Sequence, residues 1–185
     1  MSDIILLDNK NEENLPNLEN KNVLFLDIDG VLNTVVDINC NFHHVKRHLG
    51  RPYLKSDLHI IQECMDTLFP IIIKNNLHIV ISSMWRFGAQ PEWFSEMFSL
   101  YGYDIPSDNI SFLYLNEYEG SDGERGDLIR CYVKEANIKN YIAIDDTSEH
   151  FKSDFTNLVI TNGKSGIVSS DVDKLLQLIH SFSGS

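Results

Sequence analysis

The sequence predicts an α/β fold built on a mainly parallel sheet. Short, mostly apolar runs recur along the chain, as in strands covered on both faces: Val23–Leu26, Leu77–Ile81 with His78 inside it, Tyr141–Ile144 and Leu158–Ile160. Segments with helical apolar spacing lie between them, and strands alternating with helices make βαβ units. The first three runs stop abruptly at polar residues: Asp27 with Asp29, Ser82 with Ser83, and Asp145 with Asp146. The carboxyl ends of parallel strands are where such sheets place their ligands.

In chain order, Ile4–Leu7 is a candidate edge strand, and 8–22, rich in Asn and Glu with one Pro, reads as a polar lead-in outside the core. The first buried strand follows from Val23. Residues 34–55 look irregular and hold Gly50, Pro52, Cys40 and the histidines 43, 44 and 48. A helix is expected from Ser56, a suitable N-cap, to Asn75, with Leu58, Ile61, Met65, Leu68 and Ile72 on one face and Pro70 kinking or dividing it. After the strand at Leu77, Met84-Trp85-Arg86 reads as a turn. Pro91–Tyr101 reads as a helix, with Pro91 suited to its first position and Trp93, Phe94, Met97 and Phe98 as a core stripe. Ile110–Leu115 is a short strand and 120–126 a loop. Asp127–Ala136 is a helix, and a last helix runs from Ser170 or Asp171 to His180.

The 185 residues suffice for one domain with a full core, which the pattern places at 23–182. A formal net charge of −12 disfavours non-specific attachment to nucleic acid or anionic membranes. No apolar run is long enough to span a bilayer, and the N-terminus lacks the basic start of a secretory signal. Three widely spaced cysteines suit a reducing compartment, so the expected location is the cytoplasm.

Chemistry is expected at the first strand end. Asp27 and Asp29 are two residues apart, so in an extended segment they project the same way. Paired carboxylates repel unless a cation or a shared proton relieves them. Carboxylates with carbonyls and water suit Mg²⁺. Gly30 allows a sharp turn and close approach of backbone to ligand. The spacing does not fit a calcium loop of the EF-hand type, whose glycine is sixth and is preceded by a helix. Four carboxylates and two hydroxyls would converge if the three strand ends share one edge, and a basic residue is needed to balance them. Arg125 ahead of its helix is the first candidate and Lys134 the rival.

Asp27-Ile28-Asp29-Gly30-Val31-Leu32 resembles the first motif of the haloacid dehalogenase (HAD) superfamily. The strand-end Ser82, the basic residue ahead of a helix and the acidic pair Asp145-Asp146 resemble the other three, in order, over about residues 23–170. The wording SSMWR at 82–86, RGDLI at 125–129 and IDD at 144–146 resembles the branch of HAD domains associated with nucleic-acid repair, where 3′-end phosphatases occur. The resemblance implies a three-layer Rossmann-like sandwich and a Mg²⁺-dependent phosphomonoesterase. It implies Asp27 as nucleophile, Asp29 as general acid and base, and Ser82 and Arg125 on the phosphate. The metal would be held by Asp27, the Asp29 carbonyl and the acidic pair, Asp145 before Asp146. Ser83, Arg86 and Gly30 are further candidates for substrate contact, although Ser83 also suits a helix cap.

Cap insertions set selectivity in this superfamily. Once the helix at 56–75 is subtracted, the first gap leaves only about twenty residues, at 34–55, too few for a helical cap domain. A small flap and an open site follow, suited to a nucleic-acid end, a nucleotide or a phosphoprotein. The competing readings are a phosphoprotein phosphatase and a HAD-like domain that binds without catalysis. Cys40, His43, His44 and His48 have a spacing that zinc accepts, but no second ligand pair accompanies them. Gly120, Gly123 and Gly126 do not make a phosphate-cradling P-loop. Trp85 suits either stacking on a base or core packing.

Overall fold

The computed structural model describes residues 15–34, 55–87, 89–114 and 124–182. The expected edge strand at Ile4–Leu7, the Cys40 and histidine cluster, nearly all of the 34–55 insertion, and Gly120 and Gly123 lie outside these residues.

The strands are β1 (Asn22–Leu26), β2 (Leu77–Ile81), β3 (Ile110–Phe112), β4 (Asn140–Asp145) and β5 (Leu158–Ile160). They form one five-stranded parallel sheet in the order β3-β2-β1-β4-β5. The helices are α1 (Lys55–Leu58), α2 (Gln62–Lys74), α3 (Pro91–Leu100), α4 (Arg125–Glu135) and α5 (Ser169–Ser181). This is the three-layer Rossmann-like sandwich that the sequence leads one to expect.

Alternation along each strand sorts the core into two halves. Leu24 and Leu26 of β1 join Ile79, Ile81, Ile142 and Ile144 under α2, α3 and α5. Val23 and Phe25 point the other way, with Val80 and Ala143, against Ile129 and Tyr132 of α4. The helix crossovers change face when the chain leaves β3 and returns beside β1. The strand order therefore reverses between β1 and β4, and that crevice is the switch point at which such sheets bind ligands.

Several expectations change at the level of single residues. The helix expected over 56–75 is two helices, broken at His59–Ile61, where His59 takes a positive φ of 52°. Helix α2 runs unbroken through Pro70, which lies on the exposed side, where a carbonyl that loses its helical partner can take water instead. The expected cap, Ser56, falls one residue inside α1. Leu18, expected outside the core, is buried against the α4 side, and its N–H donates to the Ala136 carbonyl at 3.2 Å. Pro91 does open α3, and Trp93, Phe94, Met97 and Phe98 are buried as one stripe. No helix among the described residues is long and apolar enough to cross a membrane.

Candidate active site

Register lines up the strand ends. Leu26 stands opposite Ile81 on one side and Ile144 on the other. The next residue of each strand, Asp27, Ser82 and Asp145, therefore falls in one row across the sheet edge. Backbone bonds continue through that row: the Ser82 N–H donates to the Leu26 carbonyl at 2.9 Å, and the Asp27 N–H to the Ile144 carbonyl at 3.1 Å. Asp27 extends the Val23–Phe25 side of β1, and Asp145 the Ala143 side of β4. Both sides face α4.

Helix α4 begins two residues earlier than its sequence suggests, at Arg125 instead of Asp127. Arg125 thus opens the helix, where the helix dipole disfavours a cation. Two carboxylates offset that cost. Arg125 Nη1 donates to Asp27 Oδ2 at 2.7 Å and also pairs with Asp145 Oδ2. Burial works against the Arg125 charge, but Asp27 and Asp145 outweigh it and hold its pKa above the ordinary value. Lys134 is exposed in the last turn of the same helix, away from the cluster. Of the two basic candidates, the fold brings Arg125 to the carboxylates.

Asp27 is 5% exposed and Asp145 fully buried. Asp145 Oδ1 accepts the Thr147 N–H at 2.9 Å, and Asp146 accepts the Thr147 hydroxyl at 3.0 Å. Burial, then the charge of Asp27, pushes the Asp145 carboxyl up to about 6, with Arg125 and the Thr147 N–H opposing. Carboxylate oxygens of Asp27, Asp145 and Asp146 lie within 4.8 Å of one another. Together with Asp29 they set four carboxylates against one guanidinium. No ion pair reaches Asp29 or Asp146 among the described residues. An all-oxygen, anionic and largely buried donor set fits a hard divalent cation such as Mg²⁺.

Asp29 does not stay aligned with Asp27. The chain turns at Asp29–Leu32, closed by the Leu32 N–H on the Ile28 carbonyl at 2.8 Å. Gly30 takes φ +73° there. Asp29 is half-buried among neutral donors: Oδ1 accepts Asn33 Nδ2 at 2.8 Å and Oδ2 accepts the Trp85 indole Nε1 at 2.9 Å. Burial lifts its carboxyl above the ordinary value and the charges of Asp27 and Asp146 add to the rise, while the two donors oppose it.

The remaining candidates take definite places. Ser82 is buried in the row of strand ends. Ser83 is 1% exposed, and its hydroxyl accepts the Trp85 backbone N–H at 3.4 Å, capping the 3₁₀ turn Met84–Arg86. Arg86 folds back over that turn: its Nη1 donates to the carbonyls of Ser82 and Ser83, and its guanidinium lies 4.3 Å from the Phe87 ring. Trp85 is 6% exposed, in the core half under α2 and α3, so its ring is not presented as an open stacking platform.

Asn33 and Thr161 went unmarked in the sequence. Asn33 holds Asp29 and also accepts the Gly30 N–H at 2.9 Å. The Thr161 hydroxyl, from the end of β5, donates to the Gly30 carbonyl at 2.8 Å. An Asn four residues after a strand-end Asp, across a glycine turn, is a signal for Asn33, since Asn side chains bond nearby backbone in turns. Thr161 has no such local signal.

The family described as HAD domain in Swiss Army Knife RNA repair proteins matches residues 23–172, from the start of the first buried strand into the last helix. No curated protein and no solved structure matches the chain. The match covers all the strand ends described above, and it supports hydrolysis of phosphate esters as the class of activity. The chain belongs to the HAD superfamily, in the branch formed by the HAD domains of Swiss Army Knife RNA repair proteins.

Proposed function

We propose that this chain is a Mg²⁺-dependent phosphomonoesterase that works through an aspartyl-phosphate on Asp27. One observation carries the reading: two carboxylates two residues apart sit in opposite surroundings, Asp27 on a guanidinium and Asp29 on neutral N–H donors. Environments that separate neighbouring carboxyl groups assign them different roles.

Asp27 supplies the attacking oxygen. Its bond to phosphorus forms as the bond from phosphorus to the ester oxygen breaks, and Asp29 gives that leaving oxygen its proton. Asp29 then takes a proton from water. The resulting hydroxide attacks phosphorus, the Asp27–phosphate bond breaks, and phosphate leaves with Asp27 again a carboxylate. Ser82 and Arg125 hold the phosphoryl oxygens, with Arg125 turning from the carboxylates to the substrate. Asp27, Asp145, Asp146 and the Asp29 carbonyl would hold Mg²⁺, whose contribution is to neutralise phosphate charge and orient the attack.

The substrate is a phosphate at a nucleic-acid end, a polynucleotide 3′-phosphate, or on a nucleotide. The RNA-repair description of the family supports this. The net charge of −12 points to recognition of the end and not of the length of the strand. The segment 34–55 is too short for a helical cap domain, which suits a substrate as large as such an end.

The test is phosphate release from a 3′-phosphorylated oligoribonucleotide, a mononucleotide, a phosphopeptide and an aryl phosphate, with and without Mg²⁺, for the parent and Asp27→Asn. Release from the oligonucleotide or nucleotide that needs both Mg²⁺ and Asp27 is expected. Preference for the phosphopeptide would reassign the substrate. A folded parent that releases nothing from any of the four would overturn the reading in favour of a binding domain.

A further inference from the structure

We propose that Trp85, together with Asn33, is a positioning residue that fixes the orientation of the Asp29 carboxyl for proton transfer to the leaving oxygen. The inference rests on the reaction proposed above and adds a part to it.

The observation is a clamp. Each Asp29 oxygen is held by one N–H donor from a different direction: Asn33 Nδ2 at 2.8 Å on Oδ1, and Trp85 Nε1 at 2.9 Å on Oδ2. A carboxylate has about four acceptor positions. The clamp leaves one at each oxygen for the proton it must deliver.

Both donors are themselves held. The Asn33 amide is used at both ends, since its Oδ1 accepts the Gly30 N–H at 2.9 Å. It therefore cannot flip without breaking two bonds. Trp85 is anchored at its backbone by Ser83 and at its ring by Trp93, with centroids 6.2 Å apart. Trp93 packs in turn edge-on against Phe94 at 4.8 Å. The orientation of Asp29 is thus tied to the aromatic core beneath α3.

The donor types matter. An indole N–H donates only, and neither it nor an amide gains or loses a net charge near neutral pH. The clamp orients Asp29 without competing for the proton being moved. A packing role alone would not require the nitrogen edge of the indole to meet a carboxylate 56 residues away in the chain.

Two measurements test this. First, the chain has two tryptophans, so a ¹⁵N-labelled sample gives two indole N–H signals. Asp29→Ala is expected to shift the Trp85 signal and leave that of Trp93 in place. An unmoved Trp85 signal would overturn the contact, and this readout needs no activity.

Second, Trp85→Phe keeps an aromatic ring and removes the donor. Alkyl phosphates have poor leaving groups that need a proton, whereas a nitrophenyl phosphate leaves without one. The value kcat/KM covers only the steps up to departure of the leaving group. It is expected to fall on the order of tenfold for the alkyl ester and less than about threefold for the nitrophenyl ester, the scale of a misaligned catalytic group. Equal falls for both esters would overturn the positioning role. Should Trp85→Phe fail to fold, Asn33→Ala removes the other donor and is expected to give the same leaving-group signature. A parent inactive on both esters would instead sink the phosphatase reading, and with it any role in proton transfer.

Discussion

The carboxylate of Asp146 lies against the α-carbon of Gly30: a β-carbon at residue 30 would sit 2.3 Å from Asp146 Oδ2 and 2.4 Å from its Cγ. Gly30 also has φ +73°, which L side chains rarely adopt. Glycine therefore serves two purposes here. It turns the chain after Asp29, and it lets Asp146, the residue just past β4, reach the carboxylate cluster.

Gly30→Ala tests that relationship. The left-handed backbone alone should cost about 1–2 kcal/mol. The displaced Asp146 should add a loss of divalent-cation affinity, because it is one of three carboxylates within reach of a single ion. Denaturant unfolding in chelator would read the first effect and calorimetric titration with Mg²⁺ the second. Unchanged Mg²⁺ affinity would remove Asp146 from the ligand set.

Arg125 is the counterion of the cluster, bonded to both Asp27 and Asp145, with its side chain 18% exposed. Breaking such a pair from one side leaves buried charges uncompensated, at a typical cost of about 3–5 kcal/mol. Arg125→Gln should lose about 3 kcal/mol of stability in chelator, the lower end of that range, since the site is not wholly closed. A divalent cation should restore the variant more than it stabilises the parent, because it takes over charge that the arginine carried. Urea unfolding with and without Mg²⁺ on both proteins checks this. Equal effects of Mg²⁺ on the two would show that the ion and the arginine do not share the carboxylates.

Much of this site is legible in the sequence, for a physical reason. Strands covered on both faces are apolar over nearly their whole length, so Val23–Leu26 and Leu77–Ile81, interrupted only at His78, stand out, and the polar residue ending each one is easily seen. The register that puts Asp27, Ser82 and Asp145 on one row is a pairing between distant segments, and no local pattern reports it. The break at His59–Ile61 is hidden because Leu58, Ile61 and Met65 keep helical spacing across it. Pro70 draws attention instead, although its exposed position lets the helix continue. The start of α4 at Arg125 is masked by the dipole rule, which makes an arginine a poor first helical residue until its two carboxylate partners are known. Trp85 is the clearest case of what a sequence conceals. A lone Trp after a strand suggests core or stacking, and only the fold brings its N–H to Asp29.

His78 gives a stability test independent of the active site. It is 3% exposed in β2, with Nε2 within 2.8 Å of Ser111 Oγ. Burial pushes its pKa down from 6.5 to about 4. The folded protein therefore binds fewer protons at His78 than the unfolded chain between those values, and stability must fall as pH drops through the window. Above pH 6.5 both states are neutral there, and below about 4 both are charged, so the loss is complete at the lower bound. The shift corresponds to roughly 3 kcal/mol at most. His78→Gln keeps a polar partner for Ser111 and removes the titration. The parent is expected to lose up to about 3 kcal/mol more than the variant between pH 7 and pH 4, with carboxylate effects common to both cancelling in the difference. Parallel stability curves for the two proteins across that range would mean that His78 protonates as freely in the fold as in the unfolded chain.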